Sequence, residues 1–225
     1  MQYIFITLWG VLLFNSACLP TAVTKDDKAS NTISSKTASL SDLIDQLEHL
    51  LNSSETVSTS QRSEVNSLVW EFQQGLDILK KVQEKAWNNF TPRNCSAPLA
   101  PSNGGLVCVT IASVRYCKPM CNQGYDFAFL RKSRLFEECG IHTGYSWTTQ
   151  LVGGNKLADC IASSVAVSGQ TSAYFPTDMN CHKTIANSAE EEKHIRIFLQ
   201  DLQEHAKKTI TEKDENLYGY VICGY

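Results

Sequence analysis

The chain has 225 residues, 43% of them hydrophobic, enough for one ordinary domain or two or three small ones, and its composition is not that of a disordered protein. The formal net charge of −3 gives no overall attraction to nucleic acid or to an anionic membrane surface, so any basic site must be local.

In chain order, residues 1–22 carry no Lys, Arg, Asp or Glu, and Tyr3 to Phe14 is an apolar run followed by the small residues Ser16, Ala17 and Cys18. That is the pattern of a signal peptide over 1–18, and it predicts a secreted, extracellular protein. No other stretch approaches the roughly 20 apolar residues of a transmembrane helix, so no transmembrane segment is expected. Residues 19–38 are dominated by Thr, Ser, Lys, Asp and Asn, which bury too little apolar surface to offset chain entropy, and predict a flexible tail.

Residues 39–88 predict a helical hairpin. Leu40, Leu43, Ile44, Leu47, Leu50 and Leu51 recur at helical steps, and Val65, Leu68, Val69, Phe72, Leu76, Leu79 and Val82 form a second stripe ending near Trp87. The positions Val65, Leu68, Phe72, Leu79 and Val82 also fit a short heptad pattern broken at Gly75, which allows homo-oligomer formation through this region. The glycosylation sequons begin at Asn52, Asn89 and Asn94; Asn52 falls in the linker expected between the helices.

Loss of Cys18 with the signal leaves Cys95, Cys108, Cys117, Cys121, Cys139, Cys160, Cys181 and Cys223, an even number that in an oxidising compartment predicts four bridges. Spacing alone leaves roughly a hundred connectivities open. A zinc site is the alternative for Cys117-x3-Cys121 and Cys181-His182, but no second ligand pair stands at the required spacing, so no metal or cofactor is expected. From Cys95 to Cys160 the chain is punctuated by Pro, Asn-Gly and Gly-Gly between runs such as Leu106–Ile111 and Tyr125–Phe129, which are strand and turn signals, and Gly153-Gly154 suits a tight hairpin. Beyond Cys181, Ile195, Phe198, Leu199 and Leu202 predict an amphipathic helix, and Tyr218 to Cys223 a final strand.

Within this region Cys95-Ser-Ala-Pro-Leu-Ala-Pro-Ser-Asn-Gly-Gly, Cys121-Asn-Gln-Gly-Tyr125, Cys139-Gly, Trp147 and Cys160 stand in order. The segment 95–160 resembles a sushi (complement control protein) module. The resemblance implies bridges Cys95 to Cys139 and Cys121 to Cys160, with Trp147 filling the space between them; Cys108 with Cys117 and Cys181 with Cys223 then remain. The last pair would staple a helix-strand extension over 161–225. The expected fold class is therefore α+β: a small disulfide-rich, sushi-like β module flanked by an N-terminal helical hairpin and a C-terminal helix plus strand.

Sushi modules are mostly binding and spacing units, and the resemblance implies a non-enzymatic binding or recognition protein with an extracellular partner. The charge pattern adds one candidate ligand site, the run Arg131-Lys132-Ser133-Arg134 with Arg115 and Lys118, which would suit a sulfated glycan or an acidic partner. No Gly-x-Ser-x-Gly, His-Glu-x-x-His, phosphate loop or dinucleotide fingerprint occurs, and the five histidines are scattered, so no enzyme is expected; an enzyme or inhibitor of a secreted fluid is the remaining alternative.

Overall fold

The hairpin that organises the fold turns on two residues that are not glycine. Strands β1 (Gly104–Ile111) and β2 (Val114–Cys121) pair antiparallel from Gly104 opposite Cys121 to Ile111 opposite Val114, leaving Ala112 and Ser113 as the loop. Both have positive φ, 49° and 64°, as a two-residue turn matched to strand twist requires. The turn usually announces itself as Asn-Gly, and at Ala-Ser that cue is missing.

The structure is a computed structural model that describes residues 59–88, 92–149, 154–206 and 218–225, with residues 40, 42, 44, 45, 47–49 and 52 upstream. The expected signal peptide, the tail 19–38, Asn89 and Gly153 lie outside the described residues. The chain divides into a unit ending at Ser67 and a unit from Leu68 to Tyr225. Helix α1 (Thr59–Asn88) spans this division. Upstream of it, the described residues between 40 and 52 are helical, and Asn52 is exposed at a helical position rather than in a loop.

In the second unit a four-stranded antiparallel sheet has the order β4-β2-β1-β6, with β4 at Glu137–Cys139 and β6 at Tyr218–Cys223. A two-stranded ladder joins β3 (Tyr125–Phe127) to β5 (Cys160–Ala162). The C-terminal strand pairs with β1 from Thr110–Tyr218 to Gly105–Cys223, so residues 218–223 complete the sheet begun at residue 104.

Alternation along the strands gives the sheet two faces. One carries Val107, Val109, Ile111, Met120 and Val221, and meets Phe198, Leu202 and the flanks of Ile195 and Leu199 from helix α3 (Ser188–Ala206). That helix starts where Asn187 Oδ1 accepts the amides of Ala189 and Glu190, and its first turn carries Glu190 and Glu191 at the positive end of its dipole. Glu191 Oε1 also accepts the Val221 amide at 3.0 Å, closing part of an otherwise open sheet edge. The opposite face carries Leu106, Cys108, Cys117, Cys139, Tyr220 and Ile222 beneath irregular chain that includes Trp147 and Leu157.

Four bridges are present: Cys95–Cys139, Cys108–Cys117, Cys121–Cys160 and Cys181–Cys223, the last tying the short helix α2 (Cys181–Ile185) to β6. Cys117 and Cys121 thus sit in separate bridges and form no ligand pair. Gly104 and Gly105 are required where two of these bridges cross the sheet. A Cβ at Gly104 would lie 2.9 Å from Cys160 Sγ, and one at Gly105 would collide with Cys181 Sγ. Trp147 is buried, its Nε1 donating to Ser96 O at 2.9 Å, but it does not fill a space between the interleaved bridges. It packs beside Cys95–Cys139 and Cys108–Cys117, whereas Cys121–Cys160 belongs to a separate cluster with Phe127 and Ala173.

Candidate ligand site

The basic residues expected to form a surface site are turned inward. Arg131 is 4% exposed, its Nη2 bonded to Glu137 Oε1 at 3.0 Å and its Nη1 to the Leu157 carbonyl at 3.3 Å. Arg134 holds the other oxygen of the same carboxylate at 2.8 Å, and Thr148 Oγ1 donates to it as well. Lys118 is buried against Asp201 of α3 and donates to Ser172 Oγ at 2.9 Å. Arg115 is wholly buried. Of the five candidates only Lys132 is fully exposed, with Arg134 half-buried, so Arg115, Lys118 and Arg131 are not part of a polyanion-binding patch. The physical reason is Glu137: placed on β4 with no exposure, it draws both flanking arginines to it, because a buried carboxylate without partners is far costlier than a buried pair.

The electrostatics confirm how strongly these groups are desolvated. Burial pushes the Glu137 carboxyl up despite the pull of Arg131 and Arg134, and lowers Arg131 and Lys118 despite their partners. Asp126, on strand β3 of the two-stranded ladder, behaves in the opposite way. Burial alone would raise it, but hydrogen bonds from the Tyr174 hydroxyl and from Val167, Ser168 and Phe127 outweigh that and hold it at about 2.

What the fold does assemble at the surface is a cavity of about 250 Å³ between the last turns of α1, the segment 97–100 and the C-terminal strand. Its wall is apolar, formed by Trp87, Pro98, Leu99, Tyr220 and Ile222, and its rim is polar, with Lys80, Gln83, Glu84 and Asn155. Trp87 lies flat on Tyr220 with ring centroids 5.6 Å apart and planes 6° from parallel. Lys80 Nζ stands 4.2 Å over the Tyr225 ring, whose hydroxyl donates to Gln83 Oε1 at 3.3 Å. These are the features of a recognition pocket: an aromatic wall for an apolar group and a few convergent polar groups to orient it. Comparison of the chain with protein-family models, with curated proteins and with solved structures found no match. The cavity therefore rests on its own geometry.

Sequence reasoning missed it because its walls come from positions more than a hundred residues apart. Trp87 reads only as the end of a helical stripe and Tyr220 only as part of the final strand Tyr218 to Cys223, while Tyr225 lies beyond that strand. Arg115 adjoins the same stack. Its guanidinium carbon lies 4.7 Å from the Tyr220 ring centroid, and burial lowers its pKa to about 10, which leaves it charged at neutral pH. A cation over an aromatic face gains about 2 kcal/mol when desolvated, less than the several kcal/mol that burying an unpaired ion costs.

Among the described residues no three His, Cys, Asp or Glu side chains are placed to hold a metal, and no helix is long and apolar enough to cross a membrane. Asn94, the one sequon besides Asn52 that the described residues include, is exposed in the turn before Cys95.

Proposed function

We propose that this chain is a secreted, extracellular, non-enzymatic binding protein whose disulfide-stapled region, sushi-like in its cysteine order over 95–160, offers the cavity beside Trp87 to a segment of a partner protein. The cavity carries the reading: an apolar wall and a mixed-charge rim suit a peptide or loop with an apolar anchor. A sulfated glycan is not favoured, since most of the candidate cations are committed to internal carboxylates. Four bridges in a chain with a signal-like leader support an oxidising, extracellular setting.

The test is affinity capture from extracellular fluid on the full-length protein with its bridges intact, because β6 is hydrogen-bonded into the sheet and the segment 95–160 alone would lack it. Leu99 is 54% exposed on the cavity wall, so Leu99→Glu should abolish retention of a partner that Lys132→Ala leaves untouched. Equal retention by both variants overturns the assignment to this cavity.

A second reading, an oligomerising matrix or adhesion component, is favoured by one observation. On α1, Val65, Val69, Leu76, Leu79 and Val82 are between 40% and 62% exposed, an apolar stripe at steps of three, four and seven residues. Sedimentation of the same preparation decides it: a monomer at about 0.1 mM removes the second reading, and a concentration-dependent dimer abolished by Leu79→Glu establishes it.

A further inference from the structure

We propose that the loop-covered face of the sheet contains a buried binding site for a small monovalent anion, a halide or a formate-sized carboxylate, held between the Arg115 guanidinium and the Tyr220 hydroxyl. Arg115 has no exposure and Tyr220 only 4%, yet Nε, Nη1 and Nη2 of the arginine and the hydroxyl of the tyrosine all lack a hydrogen-bond partner. Buried polar groups in folded proteins are paired as a rule, and four orphans on two touching side chains mark a missing partner rather than four separate defects.

Charge identifies that partner. The residues facing Arg115 from the adjoining strands are Thr110 on β1 and Cys139 on β4, with Tyr218 and Tyr220 on β6, and none is a carboxylate. Of the acids on the neighbouring strand, Glu137 is engaged by Arg131, Arg134 and Thr148, and Glu138 has a side chain 33% exposed and in contact with His142. Water would satisfy the hydrogen bonds but leave the charge uncompensated, and the Tyr220 ring offers only a quadrupole. An anion meets both needs, accepting from the guanidinium and from the phenol together. With Arg115 at no exposure and Tyr220 at 4%, a monatomic or similarly compact species is the one that fits so closed a place. Arg115 does not line the surface cavity, and Tyr220 is the residue the two have in common.

Thermal unfolding of the full-length, fully bridged chain tests the proposal. Chloride, bromide or formate should raise the midpoint saturably over gluconate at equal ionic strength, by about 5 °C at a hundred times Kd for a chain of this size. Saturation separates site binding from screening. Arg115→Met should abolish the dependence, whereas Lys132→Ala, at an exposed position, should retain it. A second measurement needs no variant: crystals of the wild-type chain grown in bromide should show an anomalous peak about 3.3 Å from an Arg115 nitrogen. Coincident chloride and gluconate curves, an unchanged rise in Arg115→Met, or bromide found only at the surface as an adventitious ion would each overturn the assignment.

Discussion

On one face of the four-stranded sheet helix α3 provides most of the cover, with Phe198 and Leu202 closing over Val107, Val109 and Met120 and with α2 pinned at its edge by Cys181–Cys223; on the other the cover is largely irregular chain around Trp147 and Leu157, reached by Trp87 of α1. The first face needs little besides apolar contact, because a helix satisfies its own backbone and offers the sheet only side chains. Its buried charge, Lys118, lies where Asp201 of the helix can reach it. The second face has no such cover. Loops bring unsatisfied backbone and charged side chains with them, and that side holds the Cys95–Cys139 and Cys108–Cys117 bridges, a pair of arginines on Glu137 and the unpartnered Arg115. Where the chain lacks a long helix to exclude water, two covalent staples and the Glu137 ion network share the closure, against one bridge and one ion pair on the helix-covered side.

The comparison breaks first at Phe198. Truncation to Ala opens a void in a face held mainly by packing, and should cost about 4 kcal/mol in denaturant unfolding with the bridges intact. A loss under about 1 kcal/mol would mean that α3 is not the lid of that face.

The loop-covered face should respond to charge rather than volume. Glu137→Leu leaves Arg131 buried without its counter-ion and should cost about 3 kcal/mol. The double variant Glu137→Leu with Arg131→Met removes both desolvated groups, and should be more stable than the single variant. That order follows from the directions of shift: burial raises Glu137 and lowers Arg131 in spite of their mutual attraction, so the pair is stabilised less than its geometry suggests. Strictly additive losses in a double-mutant cycle would show that the two are not coupled.

Much of the fold is legible in the residues. The stripe Ile195, Phe198, Leu199, Leu202 marks α3, the run Leu106–Ile111 marks β1, and Tyr218 to Cys223 marks β6, because each has a period set by a single element. The bridge pairing followed from the order Cys95, Cys121, Cys139, Cys160 through a resemblance, not from spacing. What escaped notice depends on tertiary placement. Arg131 and Arg134 read as a solvated basic run because nothing local shows that Glu137 is buried, and the cavity joins Trp87 to Tyr225 only after the sheet has formed. The hairpin at Ala112-Ser113 was hidden for a different reason: its strands impose positive φ on residues that do not choose it.

The two buried carboxylates, Glu137 and Asp126, differ in the same sense. Glu137 is met by cations and Asp126 by neutral donors, yet it is Asp126 that is held low. The Val167 and Ser168 amides each lie 3.1 Å from Oδ2, Ser168 Oγ 2.8 Å from the same atom, and the Phe127 amide 2.8 Å from Oδ1, with the Tyr174 hydroxyl completing the set. None of these donors needs a counter-charge, so each favours the ionised form without adding a second desolvated ion. The sign of the pH effect follows. Because the folded value, about 2, lies below the ordinary value of 3.8, the stabilisation is fully present above about pH 4 and is lost as pH falls towards 2. Its size is about 2 kcal/mol. Asp126→Asn keeps the shape but not the charge, so its stability deficit against wild type should be about 2 kcal/mol at pH 6 and shrink towards zero near pH 2. A deficit that stays constant across that range would show that these donors hold the loop 167–169 through geometry alone and that the charge of Asp126 contributes nothing.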